Sequence, residues 1–365
     1  MGSNDLLSGC GGDSGAGGFC CPLAILMTLA WLREVIPLDC GAGSVAMARM
    51  SDWPNSSVRE RHAAVSTSPD VLRSLVRRAT GDDLDQVARI VEGYDNEVYR
   101  VRTRSGQRVF VRIRRFGGGL ESAKCEARMI ERARSVGVPG PEILLLDQVR
   151  IDATDYPVMV QRGVPGRALI ETYGTLTREQ RRRSLSELGS LIARLNSLRA
   201  DADWRDGFRT EIGNRRDERA AVLSAGFGSD EFAAMITALE GYVDHSSDGH
   251  AAMCHGDLGP RHIFLDPDGS ISGVIDFGDT HPAAPLHDLA VLRVRGSGVG
   301  GAGLDLAPVL TGYGALTTPD FRRRLDLHTL MISLSSLGIG VDEGDEACIF
   351  RETARIRTLL KEIRR

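Results

Sequence analysis

The periodicity of the chain changes along its length, and this change limits the folds that it can adopt. Three segments alternate as strands do, VARIVEG, EVYRVRT and RVFVRIRRF, and a helical segment follows them, LESAKCEARMIERARSVG. Two more strands, PEILLLDQV and YPVMVQR, come next, and from Thr177 apolar residues recur at helical spacing. The order β-β-β-α-β-β followed by helices predicts an α+β protein, with an N-terminal antiparallel sheet and one helix, then a mainly helical C-terminal lobe.

Composition and spacing suggest three regions. The first begins with the glycine-rich GCGGDSGAGGFCC and a short apolar run, CCPLAILMTLAWL, which has fewer than the roughly 20 apolar residues that cross a bilayer. We expect residues 1–66 to be a disordered leader or the product of a misassigned start, with Met47 or Met50 as the true first residue; a membrane-surface anchor is the functional alternative. Residues 67–163 then form the N-terminal lobe, and residues 164–365 the C-terminal lobe. Within the N-terminal lobe, Ser68 and Pro69 predict the start of a helix, and Gly81 predicts its end.

The charge and cysteine content narrow the function classes. The formal net charge is -4, which does not favour nucleic acid as a partner. Lysine occurs only at Lys124 and Lys361, so a cation that binds phosphate must nearly always be arginine. Seven cysteines form no CxxC pair, which argues against a zinc site and fits a reducing cytoplasm. We therefore expect a cytoplasmic protein without a membrane span.

Two acidic motifs point to phosphoryl transfer. Asp257 lies in the loop CHGDLGPRHIFLD, and Asp276 follows the apolar residues of GVIDFGD. A hairpin between the two motifs would bring Asp257, His262 and Asp276 together. One carboxylate can then orient an attacking hydroxyl, while the other helps to hold Mg²⁺. The alternative is that such aspartates only cap turns.

HGD followed by IDFGD resembles the aminoglycoside phosphotransferase and choline-kinase-like family, whose members are related to the protein kinases and share their two-lobe fold. The resemblance extends from about Ser68 to the C-terminus. It implies that Asp257 is the catalytic aspartate, that His255 braces the loop and that Asp276 binds Mg²⁺. His262 occupies the position of the family's metal-binding asparagine, as in 2''-aminoglycoside and macrolide phosphotransferases. It is either a metal ligand or a brace for the loop. Asp288, in PLHDLA, would support the catalytic loop.

The same resemblance assigns residues to the nucleotide. VEGYDNEVYRV would be the flap over it, with Gly93 and Asn96 at the family's spacing. Arg112 falls at the position of the kinase lysine, with Arg114 on the same strand face as its rival. Glu126 would pair with Arg112. The backbone of Val160, Gln161 and Arg162 would contact the purine.

The resemblance implies transfer of the γ-phosphate of ATP or GTP, with Mg²⁺, to a hydroxyl group of a small molecule. The motifs favour an aminoglycoside antibiotic as acceptor, and thus a role in resistance. Alternatives are a macrolide, a sugar or an amino alcohol as acceptor, or an inactive kinase-like module that binds nucleotide. Asp279 is a candidate for the acceptor site, and the acidic run 341–346 is either part of that site or a solvated helix face. We expect a monomer or a weak dimer.

Overall fold

The computed structural model describes residues 56–91, 95–247, 249–301 and 303–363. Its strands are β1 (Leu84–Ile90), β2 (Asn96–Thr103), β3 (Arg108–Arg114), β4 (Ile143–Ile151), β5 (Thr154–Arg162), β6 (Arg167–Ala168), β7 (Arg199–Asp203), β8 (His250–Cys254), β9 (Ile263–Leu265), β10 (Ile271–Val274) and β11 (His281–Ala283). Its helices are α1 (Ser56–Ala63), α2 (Pro69–Thr80), α3 (Leu120–Ser135), α4 (Leu169–Thr172), α5 (Arg178–Asn196), α6 (Trp204–Asp217), α7 (Arg219–Ser224), α8 (Ser229–His245), α9 (His287–Arg295), α10 (Leu306–Tyr313), α11 (Pro319–Glu343) and α12 (Glu346–Ile363). Short 3₁₀ turns cover Phe277–Asp279 and Val299–Gly301.

These elements confirm the predicted α+β class, and they group into two compact units. The sheet unit comprises residues 56–127 and 141–163 of the described chain, and the helical unit comprises residues 128–140 and 164–363. The end of α3 and the turn after it therefore belong with the helices, although they lie inside the predicted N-terminal lobe. Hydrogen bonds explain this difference, because the Arg194 side chain donates to the carbonyl oxygen of Gly137 (2.9 Å) and the Val274 amide to that of Pro139 (2.6 Å).

The sheet unit is built on an antiparallel sheet in the order β1-β2-β3-β5-β4. Helix α2 packs its apolar face, including Leu72 and Leu75, on this sheet. As the sequence predicted, the Ser68 side chain caps α2 and Gly81 ends it in the left-handed conformation, at φ 71°. Strand β3 alternates strictly: its valines and Ile113 are fully buried, whereas Arg112 and Arg114 lie on the opposite face.

A buried carboxylate ties the segment before α2 to the sheet. Glu97 accepts hydrogen bonds from the backbone amide and hydroxyl of Thr67, both at 2.8 Å, and from Arg115 Nε at 2.8 Å. Burial alone would raise the pKa of Glu97, but hydrogen bonds from Tyr99, Arg115 and Thr67 lower it overall. Residues 56–66, which the sequence assigned to the leader, contain α1. Arg89 Nη2 donates to the carbonyl oxygen of His62, in the last turn of α1 (2.8 Å). Residues 1–55 of the expected leader lie outside the described chain.

The helical unit has its core among α6, α8, α11 and α12, with buried residues such as Met235, Leu239 and Leu334. Glycines allow α5 and α10 to touch, since a Cβ atom on Gly189 would overlap the carbonyl oxygen of Val309. Small antiparallel sheets, in the orders β10-β9-β6 and β11-β8-β7, carry the loops described below. None of the helices in the described ranges has the length and apolar character that a membrane crossing requires.

Candidate active site

The β9–β10 hairpin brings the two acidic motifs together. Ile263 pairs with Val274 in its register, so the residues just outside the pair, His262 and Ile275, face each other. The Ile275 amide donates to the carbonyl oxygen of His262 (2.9 Å), which fixes the loop before β9 against the segment after β10. The convergence of Asp257, His262 and Asp276 that the sequence predicted is therefore present in the helical unit.

Asp288 binds the start of the catalytic-loop candidate, the segment that contains His255, Gly256 and Asp257. It is fully buried at the first turn of α9, and its two carboxylate oxygens accept the backbone amides of His255 (2.8 Å) and Gly256 (3.0 Å). Burial raises the pKa of Asp288. Gly256 has φ 86°, and a Cβ atom there would overlap the carbonyl oxygen of Asp279, so only glycine fits. These contacts support the supporting role expected of Asp288.

His255 lies in the same loop and is fully buried. Its Nε2 is 3.0 Å from the carbonyl oxygen of Ile275, and its Nδ1 is 3.3 Å from the amide of Asp257. A carbonyl oxygen can only accept and an amide can only donate, so Nε2 carries the proton and Nδ1 is a lone-pair acceptor. Burial lowers the pKa of His255, in agreement with this neutral state. Both ring nitrogens are thus committed to the backbone, the arrangement that a bracing role requires.

His262 has the opposite proton arrangement. Its Nδ1 lies 2.7 Å from the carbonyl oxygen of Asp257 and therefore carries a proton. In the neutral ring the lone pair then belongs to Nε2, which lies 3.7 Å from Asp276 Oδ2. That separation is beyond hydrogen-bonding distance. Asp276 itself has φ 68°, a conformation that non-glycine residues adopt at a cost and that recurs at functional sites.

Arg295 is a site residue that the sequence analysis missed. Its Nη2 lies 2.5 Å from Asp257 Oδ1, and both side chains are largely buried. Arg295 ends α9, seven residues after Asp288, so both project from one face of the helix two turns apart. Helix α9 therefore contacts the catalytic-loop candidate at two points. Asp288 binds the backbone amides of the loop, and Arg295 binds the carboxylate of Asp257. The i, i+7 spacing in HDLAVLRVR was a signal for this residue.

The two metal-ligand candidates, Asp276 and His262, fit Mg²⁺ only in part. Asp276 offers carboxylate oxygens, which Mg²⁺ prefers, and His262 offers one imidazole nitrogen. Mg²⁺ is commonly held by one or two protein carboxylates and completed by substrate phosphates and water. No group of three histidines, cysteines or acidic residues suited to hold a metal occurs in the described ranges. Asp276 therefore suits Mg²⁺, and His262 would be the less usual second ligand.

The expected phosphate-binding residues lie in the sheet unit. Arg112 Nη1 binds Glu126 Oε1, which is the pair that the resemblance implies. Arg114 Nη2 binds the other oxygen of the same carboxylate, Oε2, at 2.8 Å. Asn96 stands opposite Arg114 on the neighbouring strand, and all four residues line one shallow recess.

The positions of the remaining predicted site residues do not test the roles expected of them. Gly93 lies outside the described residues. Val160, Gln161 and Arg162 end β5 between β3 and β4, and the Arg162 amide already donates to the carbonyl oxygen of Glu142 (2.8 Å). Asp279 is exposed, and its carbonyl oxygen contacts His281 Nδ1 (2.7 Å). A purine contact and an acceptor contact at these positions stay predictions.

In the acidic run, Asp345 Oδ1 accepts the backbone amide of Cys348 (2.9 Å) in the first turn of α12. At least this member of the run therefore serves to cap a helix.

Comparison with known proteins decides the family. Residues 86–325 match the model of the phosphotransferase enzyme family, APH. The chain belongs to this family. No curated protein is similar enough in sequence to match it.

Solved structures of family enzymes share the fold. A thermostable mutant of aminoglycoside phosphotransferase APH(4)-Ia, in a ternary complex with ADP and hygromycin B, matches with a TM-score of 0.59 and 14% identity, over 80% of this chain and 98% of that one. The GDP and kanamycin complex of APH(2'')-IIIa matches with a TM-score of 0.57 and 17% identity, over 79% and 97%. The GDP complex of wild-type aminoglycoside 2'-phosphotransferase-IIIa gives 0.58 and 15%, over 80% and 98%. At these identities the likeness concerns the fold, and it confirms the kinase-like architecture that the motifs implied.

Proposed function

We propose that this member of the phosphotransferase family transfers the γ-phosphate of ATP or GTP to a hydroxyl group of a small molecule. The observation that carries the proposal is the fixed carboxylate of Asp257. Arg295 holds its Oδ1 at 2.5 Å, and His262 Nδ1 holds its backbone carbonyl at 2.7 Å. The other carboxylate oxygen, Oδ2, lies 3.7 Å from His262 Nδ1 and can accept the hydroxyl of an acceptor.

In the proposed reaction, the acceptor hydroxyl donates a hydrogen bond to Oδ2 of Asp257, and its oxygen attacks the γ-phosphorus. The bond from that phosphorus to the β–γ bridging oxygen breaks, and the nucleoside diphosphate leaves. The hydroxyl proton passes to Asp257 late in the transfer, because the transition state is loose. Arg112, oriented by Glu126, binds the phosphates of the donor. Asp276 and His262 would hold Mg²⁺, whose positive charge would offset the negative charge of those phosphates.

We propose an aminoglycoside as the acceptor. The support is the histidine at position 262 within the paired motifs, together with the hygromycin B and kanamycin bound in enzymes of similar fold. A macrolide, a sugar or an amino alcohol is the alternative acceptor. A coupled nucleotide assay with ATP and with GTP, run against a panel of these acceptors, tests the choice. Turnover with kanamycin or hygromycin B supports an aminoglycoside, and turnover restricted to another class refutes it. The reaction would take place in the cytoplasm, where both donors are available.

One observation favours a second candidate, a nucleotide-binding module without activity. The chain's second metal-ligand candidate, His262, offers a nitrogen atom, whereas Mg²⁺ prefers oxygen ligands. Such a module would bind ATP or GTP tightly without a metal and would turn over no acceptor in the panel. Calorimetric titration of nucleotide with and without Mg²⁺ separates the two candidates.

A further inference from the structure

Glu126 receives two guanidinium groups, although one cation suffices for the expected ion pair. Arg112 binds Oε1 and Arg114 binds Oε2. The Glu126 side chain is 3% exposed, and those of Arg112 and Arg114 are 14% and 10% exposed. At this burial the three side chains have few alternative positions, and each arginine constrains the carboxylate that the other one uses.

Arg114 has a second anchor that sets it apart from Arg112. Its Nη1 lies 2.6 Å from Ser122 Oγ, one helical turn before Glu126 on α3. A Cβ atom on Gly118, just before α3, would lie only 2.8 Å from that Nη1, so the backbone at Gly118 also packs closely against the guanidinium. Arg114 thus joins the end of β3 to two successive turns of α3.

We propose that Arg114 is a positioning residue for the donor phosphates. It holds one oxygen of Glu126, so that the other oxygen of the carboxylate fixes the position of the Arg112 guanidinium, which in the proposed function binds the phosphates of a nucleoside triphosphate. The proposal rests on the proposed function, because it assumes that Arg112 binds the donor. Arg114 acts through Glu126 and does not itself contact phosphate.

A double-mutant cycle on the full-length chain tests this role. Calorimetry gives the affinity for ATP or GTP, whichever the wild type binds more tightly, and for the matching nucleoside, which lacks phosphates. We expect Arg114→Gln to weaken triphosphate binding roughly tenfold, the scale of coupling between contacting residues, and to leave nucleoside binding unchanged. In a Glu126→Gln background the same change should have no further effect. Arg108→Gln, at the exposed start of β3, is the matched control and should leave both affinities unchanged.

Several results would overturn the proposal. An Arg114→Gln effect that persists undiminished in the Glu126→Gln background would show that Arg114 binds phosphate directly. Equal loss of nucleoside and triphosphate affinity would show a general loss of structure. If Arg114→Gln does not fold, Ser122→Ala removes only one anchor and should weaken triphosphate binding alone; no change would refute the role. Wild-type protein that binds no nucleotide would instead refute the proposed function, and this proposal with it.

Discussion

Replacement of Asp288 by asparagine tests how the catalytic-loop candidate is held. The carboxylate is fully buried and accepts two backbone amides, at 2.8 and 3.0 Å. Asparagine keeps one acceptor oxygen but turns an NH₂ group towards the other amide. One hydrogen bond to a charged group is lost, and one buried N–H is left unsatisfied, each worth about 1–3 kcal/mol. The neutral amide costs less to bury than a carboxylate, which offsets part of this loss.

We therefore expect Asp288→Asn to lower the free energy of unfolding by about 2–3 kcal/mol, which corresponds to a fall in Tm of roughly 4–12 °C for a unit of this size. Urea unfolding followed by circular dichroism, together with a thermal scan, measures both quantities. Asp206→Asn is the control, since that side chain is 79% exposed and its substitution should change stability by less than about 0.5 kcal/mol. A loss for Asp288→Asn as small as the control's would refute the argument that the two amides depend on this carboxylate.

Three other substitutions have distinct expected outcomes. Arg295→Gln should lower kcat about a hundredfold with nucleotide affinity unchanged, because the Asp257 carboxylate loses its fixed orientation; steady-state kinetics and calorimetry check this, and unchanged kcat contradicts it. Gly256→Ala should abolish transfer and lower Tm, because the added Cβ atom would force the loop away from the carbonyl oxygen of Asp279. Full activity in a transfer assay would contradict this. Burial raises the pKa of Glu218 from 4.5 to about 7 and outweighs the adjacent guanidinium. The folded state therefore retains its proton as pH rises, and stability falls between pH 4.5 and 7. Glu218→Gln should remove that fall, worth up to about 3 kcal/mol, in urea unfolding at several pH values.

Local patterns were sufficient to predict most of the fold. The alternation in β3 placed Arg112 and Arg114 on the face opposite the core, and Ser68 and Gly81 marked the ends of α2. Short strands were harder. Strand β11 has three residues and pairs with β8, and β7 also joins that sheet, so their pairing depends on contacts between distant segments that periodicity does not report.

The site likewise has features that local sequence predicts and features that depend on distant contacts. The hairpin predicted that Asp257 and Asp276 converge, because both flank a short local connection. Arg295 was missed because its contact with Asp257 joins a loop and a helix end separated by 38 residues. The positive φ of Asp276 was equally inaccessible, since aspartate is ordinary in a sequence and becomes unusual only in this backbone conformation.

Transfer of labelled γ-phosphate by the wild type and by Asp257→Ala tests the central claim most directly. The assay supplies Mg²⁺, ATP or GTP, and the acceptor found in the panel, and nucleotide affinity is measured on the same preparations. We predict a labelled acceptor with the wild type, and no detectable transfer with Asp257→Ala, whose nucleotide affinity stays near that of the wild type. Equal transfer by the two proteins would contradict the assignment of Asp257 as the catalytic base.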